Sequence, residues 1–172
     1  MALDMERMHI AFLEHWAQAA RRAFTFIEVM VVVLIVGILA AIVIPQFGGV
    51  SNDAKASALQ GGLGGVRSSI AGYRARQVIA GNVPFPTLAQ LTTQGTVLQS
   101  AMPPNPYNNH ATVQAVTAAQ AAARTVVNPT AYGWNYYVDN TANPPAAIFY
   151  ANSTEITTVS DGAGGFRTAN QL

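Results

Sequence analysis

Hydrophobic and polar positions divide this chain unevenly. Residues 29–44, VMVVVLIVGILAAIVI, are sixteen consecutive positions without a charge or a strongly hydrogen-bonding side chain. With residues 24–28 added, the segment is 21 residues long and ends at Pro45. As a helix rising about 1.5 Å per residue it would reach about 31 Å, the thickness of a bilayer's hydrocarbon core. Val and Ile fill most of it, which would suit a buried strand, but a strand of about 4–8 residues is usual and this run is far longer. The pattern predicts a membrane-spanning helix over residues 24–45.

Beyond Pro45 the pattern changes. Phe47, Val50, Ala54, Leu59, Leu63, Val66, Ile70 and Tyr73 recur mostly at steps of three and four, placing one apolar stripe on a helix, with polar residues over much of the rest. The spacing predicts an amphipathic continuation over residues 46–80. Gly48-Gly49, Gly61-Gly62 and Gly64-Gly65 fall inside it, each costing about 1 kcal/mol relative to Ala. Two readings stay open there: close packing against a sheet or a neighbouring subunit, or a helix broken near residues 61–65. Gly37 and Pro45 mark weak points of the apolar half, since Pro45 has no N–H for the Ala41 carbonyl.

Residues 81–172 read as a loop-rich globular region. Gly81-Asn82-Val83-Pro84-Phe85-Pro86 closes the helix, and residues 86–91 suit a short helix capped near its start. Three prolines and an Asn-rich tail keep residues 101–109 irregular. Residues 111–127 are ambiguous, Ala-rich enough for a helical middle but with Thr-Val pairs that suit strands. Residues 132–138 and 146–151 are aromatic and strand-like, separated by a turn, and predict a hairpin whose apolar side covers the amphipathic helix. The aromatics could also form a carbohydrate platform. A weaker strand is expected around residues 156–159. The predicted fold class is α+β, a long N-terminal helix packed on a small C-terminal antiparallel sheet.

Composition narrows the options. The chain has 172 residues, 51% hydrophobic and only 10% charged, against about 25% charged in ordinary soluble domains. From Pro45 onward about 128 residues remain, enough for one modest core, with six bases against four acids. That balance does not call for a polyanionic partner. With no cysteine, disulfides and Cys-based metal or redox chemistry are excluded.

Glu28 is the anomaly of the apolar segment. An acid inside a membrane costs about 2.5–3.5 kcal/mol at mid-span and less near an end. One reading leaves it at the interface, where the helix dipole favours an anion. The other pairs it with a cation. Phe24 lies four residues earlier on the same helical face, so a cut before Phe24 would create an α-amino group at Glu28's depth. Unit charges about 4 Å apart attract by about 4 kcal/mol at an effective dielectric near 20.

Arg21-Arg22-Ala23-Phe24-Thr25-Phe26-Ile27-Glu28-Val29, followed by the apolar run with Gly37 and Pro45, resembles the N-terminus of type IV prepilins and type II secretion pseudopilins. The resemblance implies a leader over residues 1–23, cutting between Ala23 and Phe24 by a prepilin peptidase, and methylation of the new Phe24 amine. It gives Glu28 the task of pairing with a neighbouring subunit's N-terminus during assembly. Ala23 departs from the family's usual Gly; alanine is the nearest small substitute, and cutting is expected to persist. Many type IV pilins carry a C-terminal disulfide, and its absence leans towards the pseudopilin side, as does the likeness of Pro104-Asn105-Pro106-Tyr107 to the loop before the sheet in major pseudopilins. The implied partners are other copies, minor pseudopilins or pilins, the peptidase, and the inner-membrane assembly platform with its ATPase.

The leader is unusual, with Leu3, Met5, Met8, Ile10, Phe12, Leu13 and Trp16 beside three acids, and Met1, Met5 or Met8 could start it. A cleavable secretory signal competes, but the apolar run exceeds the usual core of about 7–15 residues. Arg21 and Arg22 precede the span and the first base after it is Lys55, so the N-terminus is expected in the cytoplasm and the C-terminal domain outside the inner membrane. No catalytic arrangement is expected: His110 sits in a Pro/Asn-rich loop, no serine has a nucleophile-elbow context, and carboxylates are scattered. Major pseudopilins bind calcium in their C-terminal loops; here Asp139, Asn140, Glu155 and Asp161 are the candidates, without EF-hand spacing, and no cofactor is expected. Arg67 and Arg74 share a helix face that could meet DNA phosphates, but a solvated face is the simpler reading and no nucleic acid is expected. The function expected is that of a filament subunit of type II secretion. Its alternatives are a type IV pilus subunit for adhesion, motility or DNA uptake, and a membrane-anchored sugar- or DNA-binding domain.

Overall fold

The computed structural model describes residues 24–172, the side chains of Gln46, Phe47 and Gly48 excepted. The expectations for residues 1–23, among them the leader, Ala23 as the residue before the cut and the choice of starting Met, lie outside the described residues. The chain divides at Phe47/Gly48 into two compact units. Helix α1, Phe26–Ile79, contributes to both. Its C-terminal end follows from Gly81, whose φ of 72° suits the left-handed position after a helix. The Gly81 N–H donates to the Val78 carbonyl at 3.1 Å and the Asn82 N–H to the Gln77 carbonyl at 2.9 Å, a Schellman closure that satisfies the last carbonyls.

In the first unit, the side chains of α1 up to Ile44 are almost all exposed; Val33 and Leu34 show 64% and 63% of their surface. This helix is long and apolar enough to cross a membrane, with a mean hydropathy of 3.2 in its most apolar window. Nothing in the unit itself covers that surface, as a lipid-facing or subunit-facing segment requires.

In the second unit α1 supplies Leu59, Leu63, Val66, Ile70 and Tyr73, all buried, at steps of four, three, four and three. The predicted stripe is buried in its second half, whereas Val50, 64% exposed, and Ala54 are exposed. Residues 49–55 are exposed throughout. The helix runs unbroken through residues 61–65. Of the glycines there, only Gly62 approaches the sheet, a Cβ at that point lying 3.6 Å from the Trp134 ring; Gly61, Gly64 and Gly65 face open space.

Helix α2, Leu88–Thr92, and helix α3, Ala118–Ala123, each begin with a Thr-x-x-Gln capping box, Thr87 with Gln90 and Thr117 with Gln120. The strands are β1 Val113–Ala115, β2 Trp134–Asp139, β3 Ala146–Ala151, β4 Ile156–Ser160 and β5 Phe166–Thr168. β2 and β3 form the expected antiparallel hairpin, in register from Trp134 opposite Ala151 to Asp139 opposite Ala146. β1 joins β2 in parallel, which corrects the expectation of a purely antiparallel sheet. The chain can make that parallel pair because α3 and the loop after it carry it back across the sheet. The weak strand near residue 156 has a partner, β5, in a separate two-stranded sheet.

Alternation along β2 decides which face meets what. Trp134 and Tyr136 join the α1 side chains, with Trp134 stacked on Phe149 at 5.3 Å between ring centres. Their polar atoms are matched: Trp134 Nε1 donates to the Pro103 carbonyl and Tyr136 Oη to the Pro86 carbonyl, both at 2.8 Å. Burial beside Tyr73 pushes the Tyr136 phenol well above its ordinary range. These aromatics are core, not a platform. Asn135 and its cross-strand neighbour Tyr150 face the other way, where the Tyr150 hydroxyl donates to the Thr125 carbonyl at 2.9 Å.

Asparagine side chains pin the irregular segments. Asn152 accepts from the Val127 N–H at 2.9 Å and donates to the carbonyls of Val127 and Tyr132 at 2.6 and 2.8 Å. Asn105 donates to the Gly133 carbonyl at 2.8 Å, and Asn108 to Pro129, Tyr132 and Asn152 carbonyls at 3.0 to 3.1 Å. Asn135 links Gln114 and Asn152 at 2.7 and 3.0 Å. Gly133 must be glycine, since a Cβ there would overlap the His110 carbonyl.

Candidate processing and assembly site

The residues singled out at the N-terminus lie at the start of α1. Phe24 is 80% exposed and precedes the first helical turn. Thr25 is the residue that starts it. Its Oγ1 accepts from the Glu28 N–H at 3.2 Å, and Glu28 Oε2 accepts from the Thr25 N–H at 3.4 Å. The Thr25 carbonyl accepts from Glu28 and Val29 N–H at 3.1 and 3.2 Å. This is a reciprocal capping box, Thr-x-x-Glu, matching two otherwise orphaned donors at the helix start. Sequence reasoning weighed Glu28 by dipole and ion pair and missed Thr25, although the four-residue signature was there to be read.

The cap limits what the carboxylate can still do. An ionised carboxylate offers about four acceptor positions over two oxygens. One oxygen carries the Thr25 contact, and the other, Oε1, takes no hydrogen bond from the described residues. A cation arriving at this end of the helix therefore meets an acceptor already held in place. The arrangement permits charge-assisted binding of an ammonium group.

Gly37 and Pro45 lie within α1, and a Cβ at Gly37 would meet nothing within 4 Å. Glycine there supports no packing inside the chain and leaves a position of low helix propensity.

The other candidates separate. Arg67 is no solvated arginine: Nε and Nη2 donate to the Phe149 carbonyl at 3.1 and 2.9 Å, and Nη1 to the Leu172 carbonyl at 3.0 Å. Burial, and then the nearby Arg124 charge, pull its guanidinium below the ordinary arginine value. Arg74 instead lies over the Phe85 ring, 4.9 Å from its centre. His110 acts through its backbone, its N–H donating to Asn108 Oδ1 and its carbonyl accepting from the Asn105 N–H. Asp139, Asn140, Glu155 and Asp161 are not drawn into one site. Asp139 Oδ1 closes its own turn, accepting from Thr141 and Ala142, and Asp161 Oδ1 does so with Ala163 and Gly165. Asn140 is bonded to both backbone groups of Phe85. Among the described residues no group of three His, Asp or Glu side chains is placed to hold a metal ion.

Residues 18–44 match the family model described as the prokaryotic N-terminal methylation motif. No curated protein and no solved structure matches the chain. The match covers the helix start with Thr25 and Glu28 and the apolar run as far as Ile44, and it fits a membrane-anchored protein that assembles with other pilins after processing by a prepilin peptidase. Over residues 18–44 the chain thus carries the N-terminal methylation motif of type IV pilin-like proteins.

Proposed function

We propose that the chain is the structural subunit of a pilus-like filament that works in type II secretion. The observation that carries this reading is the methylation motif laid over an apolar helix that nothing in its own unit covers. In it, the chain is stored in the inner membrane by residues 24–45, with residues 46–172 outside. The peptidase cuts between Ala23 and Phe24, and the Phe24 amine is methylated and keeps its charge. Glu28 then attracts that amine on another copy as an assembly platform and its ATPase draw subunits into a helical filament. The growing filament pushes substrate outward.

Two measurements test this. Intact-mass analysis of membrane-extracted protein is expected to give a mature chain starting at methylated Phe24; a mature start beyond Pro45 would mean an ordinary signal peptide and end the filament reading. Deletion of the gene is expected to abolish secretion of an exported enzyme while leaving surface pili intact. Loss of pili with secretion intact would make the chain a type IV pilus subunit instead.

A further inference from the structure

One face of the second unit gathers three arginine side chains. A groove of about 400 Å³ between α1, Phe85 and β3 is lined by Arg67, Arg74 and Arg124, with Ile70, Phe85 and Ile148 among its apolar walls and no acidic side chain. Arg67 and Arg124 are committed to main-chain oxygens, Arg124 to those of Asn170 and Leu172 at 3.4 and 3.0 Å. Arg74 lies over the Phe85 face and makes no hydrogen bond or ion pair among the described residues. Its guanidinium keeps a planar fork of donors shaped for a carboxylate.

The same helix carries a surface of opposite character. Residues 49–55 are helical and exposed. They hold Asp53, the one acid of α1 beyond Glu28, with exposed Val50 three residues before it on a neighbouring part of the same face. Lys55, two residues on, projects about 200° around the helix and does not oppose Asp53's approach to a cation. The four acids of the domain are not equivalent, because Asp139 and Asp161 are occupied by their own turns.

We infer that Asp53 of one copy docks on Arg74 of a second copy, with Val50 set against the apolar wall of the arginine groove. This rests on the filament reading above and adds to it a specific contact between the folded units. Charge complementarity selects the occupant: an acid on an uncovered helix segment and a cationic groove lacking one. The spacing supplies a geometric consequence. Asp53 and Arg74 are 21 residues apart on α1, so parallel copies joined through them are offset by about 31 Å along the helix.

Absence of cysteine makes a direct test possible. In the full-length chain, Asp53→Cys with Arg74→Cys introduces two thiols that are about 31 Å apart within one copy. A disulfide needs Cα atoms within about 7 Å, so any bridge formed joins different copies. Mild oxidation of assembled filaments is expected to give a ladder of covalent multimers on a non-reducing gel, whereas either single variant stops at dimers. Filaments that form but give no ladder overturn the contact and leave the filament reading standing. Parent chain that never forms filaments overturns that reading itself. Because loss of the pair can itself block assembly, charge exchange is the second arm. Asp53→Arg and Arg74→Asp are each expected to lower filament yield about tenfold, and the two together to restore it. Processing at Phe24 should be the same in all variants. Single variants that assemble normally, or an exchange that does not restore yield, overturn the contact.

Discussion

At Glu28 one carboxylate serves its own helix through Thr25 while leaving an oxygen for another partner, and the two roles respond differently to substitution. Glu28→Ala is expected to leave insertion and cutting intact, since neither step needs the carboxylate, and insertion becomes easier with an acid removed from the apolar segment. Filament yield is expected to fall sharply in the same variant. Glu28→Gln keeps an acceptor for the Thr25 N–H but loses the charge, so the cap survives and the ion pair does not. Yield near the parent level in a processed Glu28→Ala protein would reduce Glu28 to an interfacial residue. Thr25→Ala isolates the cap: one lost N-cap costs about 1 kcal/mol of helix start. Its expected effect on assembly is smaller than that of Glu28→Ala, read by sedimenting filaments from matched amounts of mature protein. Arg67 behaves as a core residue despite its charge. Arg67→Ala leaves the Phe149 carbonyl without its two donors, and an expected loss of about 1–3 kcal/mol should show in the thermal midpoint of the domain.

Among the elements, the second half of α1 and the β2–β3 hairpin carry the core. Leu63→Ala removes a fully buried side chain from the core that Trp134 also joins, for an expected cost of about 2–5 kcal/mol in denaturant unfolding. The same substitution at Val50 should change stability by less than about 0.5 kcal/mol, because that side chain has no partner in the domain. These elements were legible because their apolar residues repeat with the helical or strand period: Leu59, Leu63, Val66 and Ile70 on α1, Trp134 and Tyr136 on β2. Periodicity could not tell where the stripe ceases to be covered, since Val50 and Ala54 keep the helical spacing while nothing folds back to meet them. β1 and β5 have only three residues each, too few to show a period, and their pairing depends on segments far away in sequence. The asparagines were least legible. Asn105, Asn108 and Asn152 look like solvated loop residues, and only the folded chain shows that their amides bond backbone groups of the irregular segments. Arg67 hid likewise, because a cation that caps carbonyls inside a domain has the same spacing as one that faces water.

At the scale of the whole molecule, residues from Gly48 onward are a compact unit with their own core, closed without cysteine. A fragment starting near Val50 is expected to be a soluble monomer with a single cooperative unfolding transition; an aggregating fragment without one would mean the core is not self-sufficient. Its stability should fall in acid. Hydrogen bonds from Thr141 hold the Asp139 carboxyl below the usual carboxylate range, and those from Ala163 and Gly165 do the same for Asp161. A depressed folded-state value means the contribution is present above the unfolded value, near pH 4, and is lost as pH falls through the folded one. Between about pH 5 and pH 2 the thermal midpoint should drop, and Asp139→Asn with Asp161→Asn should flatten that slope. Residues 49–55 have a further consequence at this scale. A helical stretch with no tertiary cover opens locally far more often than one packed in a core, and an opened backbone is what a protease binds. Lys55, the chain's single lysine, lies in that stretch. A lysine-specific protease should therefore nick the unassembled protein once, releasing residues 56–172 as an intact domain, and the rate at which that fragment accumulates becomes a clock for how much of the population stands outside the filament.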